Sequence, residues 1–138
     1  MAYLLHIEST STVCSVAISK NADLLAIKEL NNGYTHAENL HVFIDELLKK
    51  NALKPTDLSA VSISSGPGSY TGLRIGFSAA KGLAYALQIP LISIDTLKAL
   101  TVSAIKKTKE DVLFCPLMDA RRMEVYCAVY TNTLNDII

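Results

Sequence analysis

Neither sign of charge is in excess in this chain: 13 Lys plus Arg balance 13 Asp plus Glu over 138 residues. Neutralising phosphates dominates nucleic-acid affinity, so a free-standing DNA or RNA binder normally carries a basic surplus. Its absence implies that any RNA is held only in company with other proteins. Long apolar runs are also missing. No stretch approaches the roughly 20 apolar residues that cross a bilayer, and Met1–Ile7 enters a strand pattern without a basic, cleavable leader. Cysteine is scarce and odd in number. Cys14, Cys115 and Cys127 lie far apart in apolar runs, which reads as buried small hydrophobes in a reducing compartment rather than disulfides. These absences point to a cytoplasmic protein with no membrane association. Half of the residues are apolar and 19% are charged, the balance of a folded globular domain rather than a disordered chain.

The hydrophobic pattern predicts an α/β fold. Three short β-like runs (Tyr3–Ile7, Val13–Ile18, Leu24–Leu30) are joined by polar, turn-prone links, which suits an antiparallel meander. The spacing then becomes helical over His36–Asn51, with Leu40, Phe43, Ile44, Leu47 and Leu48 on one stripe. A strand over Ser59–Ser64, a glycine-rich loop and a helix over Thr71–Leu87 follow. Next come a strand over Leu91–Ile94 and a helix from Asp95 or Thr96 to Lys107, with either residue able to cap it. Strand–helix alternation beside the meander predicts a mixed sheet covered by helices. The closing runs, Val112–Met118 and Met123–Tyr130, read as a hairpin turning at Asp119-Ala120-Arg121-Arg122. Two strands alone are marginal, so they are expected to open a second domain whose remainder is missing.

The densest signal is Ser65-Gly66-Pro67-Gly68-Ser69-Tyr70-Thr71-Gly72-Leu73-Arg74-Ile75-Gly76, between a strand and a helix. Backbone amides at such a junction can receive an anion. The loop lacks the lysine of a P-loop, and its glycines are one residue too widely spaced for a dinucleotide loop. Phosphate binding and a purely structural turn both remain open readings. Gly72, Gly76, Ala80 and Ala84 recur every fourth residue as a smooth ridge. That ridge could admit a partner helix or pack on its own sheet. The third helix adds Leu97, Leu100, Val102, Ala104 and Ile105, more apolar surface than one sheet face requires. His36 and His41 are five apart, about 140° around a helix, whereas metal-binding pairs usually sit four apart. No carboxylates cluster and no nucleophile has an evident base beside it, so no catalytic or metal residue is assigned.

The glycine segment closely resembles the GPGSFTG-x-RIG signature of the TsaB (YeaZ) family. Ile7-Glu8-Ser9-Thr10 with Cys14-Ser15-Val16-Ala17, and Asp119-Ala120-Arg121-Arg122-Met123-Glu124-Val125-Tyr126, agree with it in order along the chain. The resemblance implies the actin-like, ribonuclease-H-like ATPase fold. One domain would span residues 1–107, and residues 108–138 would supply the first strands of a second, truncated one. Older labels of the superfamily include glycoprotease and peptidase M22, but no protease activity is expected. The catalytic relative, TsaD, carries two metal-binding histidines four apart. The matching positions here are Thr96 and Leu100, and leucine is no metal ligand. In the wider fold an acid near the first strand can help position a nucleotide-bound metal. Many members have Asp there, and this chain has Glu8.

The function implied is a non-catalytic scaffold in the synthesis of threonylcarbamoyladenosine in tRNA. It would pair with a TsaD-like catalytic subunit and a TsaE-like ATPase, dimerise with itself when alone, and meet tRNA only through the complex. ATP and divalent metal are expected on the partner subunits, with no cofactor held tightly by this chain. The glycine-rich loop (Gly66, Pro67, Gly68, Ser69, Tyr70, Thr71, Gly72, Arg74) and a helix interface at Leu73, Gly76, Ala80 and Ala84 are the candidate sites. On that reading Gly76→Leu blocks association and leaves the fold intact. The alternative is a nucleotide-binding phosphotransferase or hydrolase, including a glycoprotease-like peptidase, of the same fold. A redox-linked dinucleotide module is a third.

Overall fold

The computed structural model describes residues 2–32, 36–108 and 110–137. The side chain of His36 also falls outside the described part, and with it the expectation that this residue is no metal ligand. Strands β1 (Tyr3–Glu8), β2 (Cys14–Lys20) and β3 (Asp23–Leu30) form the meander. Helix α1 (His36–Lys50) leads through a short 3-10 turn at Pro55–Asp57 to β4 (Leu58–Ser64), followed by α2 (Tyr70–Leu87), β5 (Leu91–Ile94) and α3 (Thr96–Ile105). The sheet order is β3-β2-β1-β4-β5. β1 pairs antiparallel with β2 and parallel with β4, and β5 lies parallel to β4 at the edge. The predicted α/β class, the meander and the mixed sheet are all present.

Period-two alternation decides which face of the sheet is buried. Leu5 and Ile7 of β1, Val16 and Ile18 of β2, and Val61 and Ile63 of β4 point to one side and are sealed from solvent. The α1 stripe read from the sequence, Leu40, Phe43, Ile44, Leu47 and Leu48, closes over them together with Ala79 and Ala80 of α2. Lys49 and Lys50 occupy the last turn of α1, where cations complement the helix dipole. Asp95 caps α3, its Oδ1 accepting the Lys98 amide at 2.8 Å, and α3 ends at Ile105, two residues short of the expected Lys107.

The final hairpin differs from expectation. Its strands are β6 (Leu117–Arg121) and β7 (Glu124–Cys127), and the turn falls at Arg122-Met123 rather than at Asp119–Arg122. Arg122 and Met123 both have positive φ, 53° and 64°, the requirement at the two central residues of a type I′ hairpin turn. Asp119 does not turn the chain. It pairs with Val125, and its Oδ1 accepts the Arg121 amide at 2.8 Å. Beyond the hairpin, Phe114 and Tyr130 pair as an isolated bridge. Tyr130 is buried, with its hydroxyl 3.5 Å from Asp95 and Lys98 stacked on its ring. Lys98 also pairs with Asp136, so the last segment is fastened to the start of α3. The expected burial of the cysteines holds only for Cys14. Cys115 and Cys127 are exposed, because the strands that were to bury them are shorter and uncovered. Burial raises the Cys14 thiol above its ordinary pKa and keeps it unreactive.

Candidate functional site

The glycine-rich segment is the joint where β4, the β1–β2 loop and α2 meet. Gly66 has φ +108°, a conformation that side chains disfavour. Its amide donates to Thr96 Oγ1 at 3.1 Å and its carbonyl accepts the Thr96 amide at 2.9 Å. The Ser69 amide donates to the Thr10 carbonyl at 2.7 Å, and the Ser69 hydroxyl caps α2 by accepting the Gly72 amide at 3.2 Å. A Cβ on Gly68 would stand 2.5 Å from Thr10 Cβ. Of the amides that a phosphate would use, those of Gly66, Ser69 and Gly72 are committed to the protein itself.

The small-residue ridge of α2 faces inward. Gly72, Gly76, Ala80 and Ala84 are all buried. A side chain on Gly72 would overlap the Ser9 carbonyl oxygen, and one on Gly76 would overlap the Ser9 hydroxyl. Leu73 is half-buried beside Gly66. The ridge therefore seats the helix on its own β1–β2 loop: of the expected interface, Gly76, Ala80 and Ala84 are covered within the domain, Leu73 is half-buried, and Gly76→Leu cannot leave the fold intact. Periodicity identified a ridge of the right kind, but it could not say which face of α2 met the sheet.

A second small stripe was missed. Ser78, Gly82 and Ala86, again four apart, are exposed on the outer side of α2. A Cβ on Gly82 meets nothing within 4 Å. Glycine inside a helix costs about 1 kcal/mol relative to alanine, and no contact within the described residues offsets that cost. Ser78 and Gly82 of this stripe wall a groove of about 560 Å³ between α1 and α2, lined also by Ala37, His41, Arg74, Ile75 and Leu83. Tyr70 and Tyr85 stand at the two ends of the outer helix face, 73% and 81% exposed. Arg74 packs over the Tyr70 ring, 5.3 Å from its centroid. Sequence spacing held the signal, since 78, 82 and 86 repeat as regularly as the buried ridge.

The opposite face of the sheet is polar at its centre. His6 Nδ1 lies 2.6 Å from Ser62 Oγ and Nε2 lies 2.8 Å from Ser19 Oγ. Burial holds the His6 imidazole below its ordinary pKa of 6.5. The unfolded chain then takes up this proton at higher pH than the folded one. The stabilising contribution is present above about pH 6.5 and is lost as pH falls through the lower folded value. Urea midpoints should drop between pH 7 and pH 5, and His6→Gln should flatten that dependence. An unchanged slope in the variant would assign it to other groups. Thr96 is buried with its hydroxyl bonded to Gly66, and Leu100 is exposed. No cluster of three His, Cys, Asp or Glu able to hold a metal occurs among the described residues, and no helix there is long and apolar enough to cross a membrane.

Comparison with known proteins places this geometry. Residues 32–138 match the family model described as TsaD: tRNA N6-adenosine threonylcarbamoyltransferase. The tRNA threonylcarbamoyladenosine biosynthesis protein TsaB of Buchnera aphidicola subsp. Acyrthosiphon pisum is 36% identical over 97% of this chain and 60% of its own length. Its Escherichia coli namesake is 32% identical over 97% and 57%. The solved structure of YeaZ from Pseudomonas aeruginosa superposes with a TM-score of 0.86 at 29% identity, over 95% of this chain and 61% of that one. The chain belongs to the TsaD-related family, and within it to the TsaB (YeaZ) branch with its actin-like, ribonuclease-H-like fold. It spans 51–62% of the length of such curated relatives.

Proposed function

We propose that this chain is a non-catalytic scaffold in the synthesis of threonylcarbamoyladenosine in tRNA, and that it docks a TsaD-like catalytic subunit in the groove between α1 and α2. The observation that carries the docking reading is Gly82. It is a mid-helix glycine that the fold does not need, and it lies in an exposed small-residue stripe where another helix can approach closely. In the absence of the partner the same groove accepts a second copy of the chain. A TsaE-like ATPase joins the pair, ATP and divalent metal reside on those partners, and tRNA is met only through the assembly in the cytoplasm. Residues 1–107 act as the first actin-like domain, and the segment from 108 onward begins the second.

The hydrolase alternative has one observation in its favour, the 2.6 Å contact between Ser62 and His6. A serine nucleophile needs a base that is itself oriented by an acid. Here the second ring nitrogen of His6 meets Ser19, another hydroxyl, and Ser62 is buried. The pair reads as a satisfied polar network, and turnover by the isolated chain would reverse that reading. The scaffold reading is tested by light scattering on the chain alone and mixed with its cognate TsaD-like protein. A homodimer that converts to a heterodimer supports it. A monomer indifferent to the partner contradicts it.

A further inference from the structure

The actin-like fold implies a carboxylate at the end of β1 and open loop amides, both available to a metal-bound nucleotide. The residues present here do not fit that ligand. Glu8 Oε1 accepts the Thr10 amide at 2.7 Å and the Thr10 hydroxyl at 2.5 Å, and Oε2 accepts the Ser64 hydroxyl. Three donors occupy three of the roughly four acceptor sites of the carboxylate, drawn from its own loop and the neighbouring strand. A magnesium ion binds oxygen at about 2.0–2.1 Å; it would have to displace Thr10 to take Oε1, and on Oε2 it would compete with the Ser64 hydroxyl. Thr10 and Ser64 are both buried. Thr10 also fills the Cβ side of Gly68 and offers its carbonyl to the Ser69 amide, while the cavity of about 600 Å³ on the other side of this loop is shared with the β6–β7 hairpin.

These contacts close a ring. Ser64 ends β4, Glu8 ends β1, Thr10 lies in the loop between β1 and β2, and Ser69 caps α2. We propose that Glu8 is a latch that closes the β1–β2 loop onto the glycine-rich loop in place of a metal-bound nucleotide, fixing the start of α2 without a ligand. The extra methylene of glutamate gives it this reach. The side chain folds back to the residue two positions on and still crosses to β4. Charge on the carboxylate strengthens all three bonds, but the shape of the contact is what closes the ring. Glutamine reproduces that shape, with its oxygen toward Thr10 and its amide donating to Ser64.

The test compares the wild-type chain with Glu8→Gln, Glu8→Asp and Glu8→Ala by amide hydrogen exchange and by thermal melting with and without millimolar Mg-ATP. The Thr10 and Ser69 amides should exchange at least roughly tenfold faster in Glu8→Ala, while amides of the β2–β3 ladder keep their protection. Glu8→Gln should stay close to wild type, and Glu8→Asp should resemble the alanine variant at these two amides. Mg-ATP should leave the wild-type melting temperature unchanged. If Glu8→Ala fails to fold, the Gln and Asp variants still decide the matter. Protection in Asp with loss in Gln would mean that charge, not reach, is what counts, and would overturn the latch. So would unchanged Thr10 and Ser69 exchange in Glu8→Ala, or a Mg-ATP stabilisation of wild type that Glu8→Gln abolishes.

Discussion

Gly72→Ala should destabilise the protein by about 3 kcal/mol or more, on the order of 10 °C in melting temperature, and no change in the side chain of residue 9 should rescue it. A Cβ at position 72 overlaps the Ser9 carbonyl oxygen, so relief requires moving the backbone of the β1–β2 loop. That loop is held by Glu8 and by the Ser69 amide, and it cannot retreat without opening the joint. Gly76→Ala offers a contrast within the same helix. Its Cβ overlaps the Ser9 hydroxyl and stands 3.2 Å from Ser9 Cβ and 3.0 Å from the tip of Ile63. Ser9 is fully buried, and its Oγ has no hydrogen-bond partner among the described residues. Ser9→Ala alone should therefore be neutral or slightly stabilising, because it removes an unsatisfied buried hydroxyl. Combined with Gly76→Ala it should recover most of the lost stability. Thermal melts of the two glycine variants with and without Ser9→Ala measure the difference as a double-mutant cycle. Equal rescue at both positions would contradict this packing.

The second large effect concerns position 82 and should separate folding from pairing. Gly82→Ala should stabilise the chain by about 1 kcal/mol, since the new methyl meets nothing and the helix loses its most flexible residue. Gly82→Trp should fold as well as wild type, yet weaken association with the TsaD-like subunit by roughly 100-fold or more, as expected when a bulky group fills the centre of a close-packed interface. Titration by light scattering or calorimetry reads the loss directly. A tryptophan variant that pairs normally would remove the stripe from the docking surface. One that misfolds would show that position 82 is not the open position described.

The contrast between these glycines shows what the sequence could and could not reveal. The α1 stripe, the meander and the Asp95 cap were legible because each rests on local periodicity or a local hydrogen bond. The two faces of α2 were not separable in that way. Both Gly72-Gly76-Ala80-Ala84 and Ser78-Gly82-Ala86 repeat every fourth residue, and only the position of the Ser9–Thr10 backbone tells which is buried. The hairpin turn was misplaced for a related reason. Asp119 is a frequent turn residue, but the cross-strand pairing with Val125 holds it in β6 and moves the turn to Arg122-Met123. The role of Glu8 was hidden because its partner Ser64 lies 56 residues away in the chain. Burial of Cys115 and Cys127 was overestimated, since apolar neighbours in sequence do not supply a second layer in space.

The most direct test of the account is an NMR titration of the isotope-labelled chain with its unlabelled TsaD-like partner. Shifts concentrated at His41, Arg74, Ser78 and Gly82, with Gly72 and Gly76 little affected, would place the partner in the groove between α1 and α2. Shifts concentrated instead at Ile92, Ile94 and Leu100, the exposed apolar residues of β5 and α3, would contradict it and move the docking surface to the other edge of the domain.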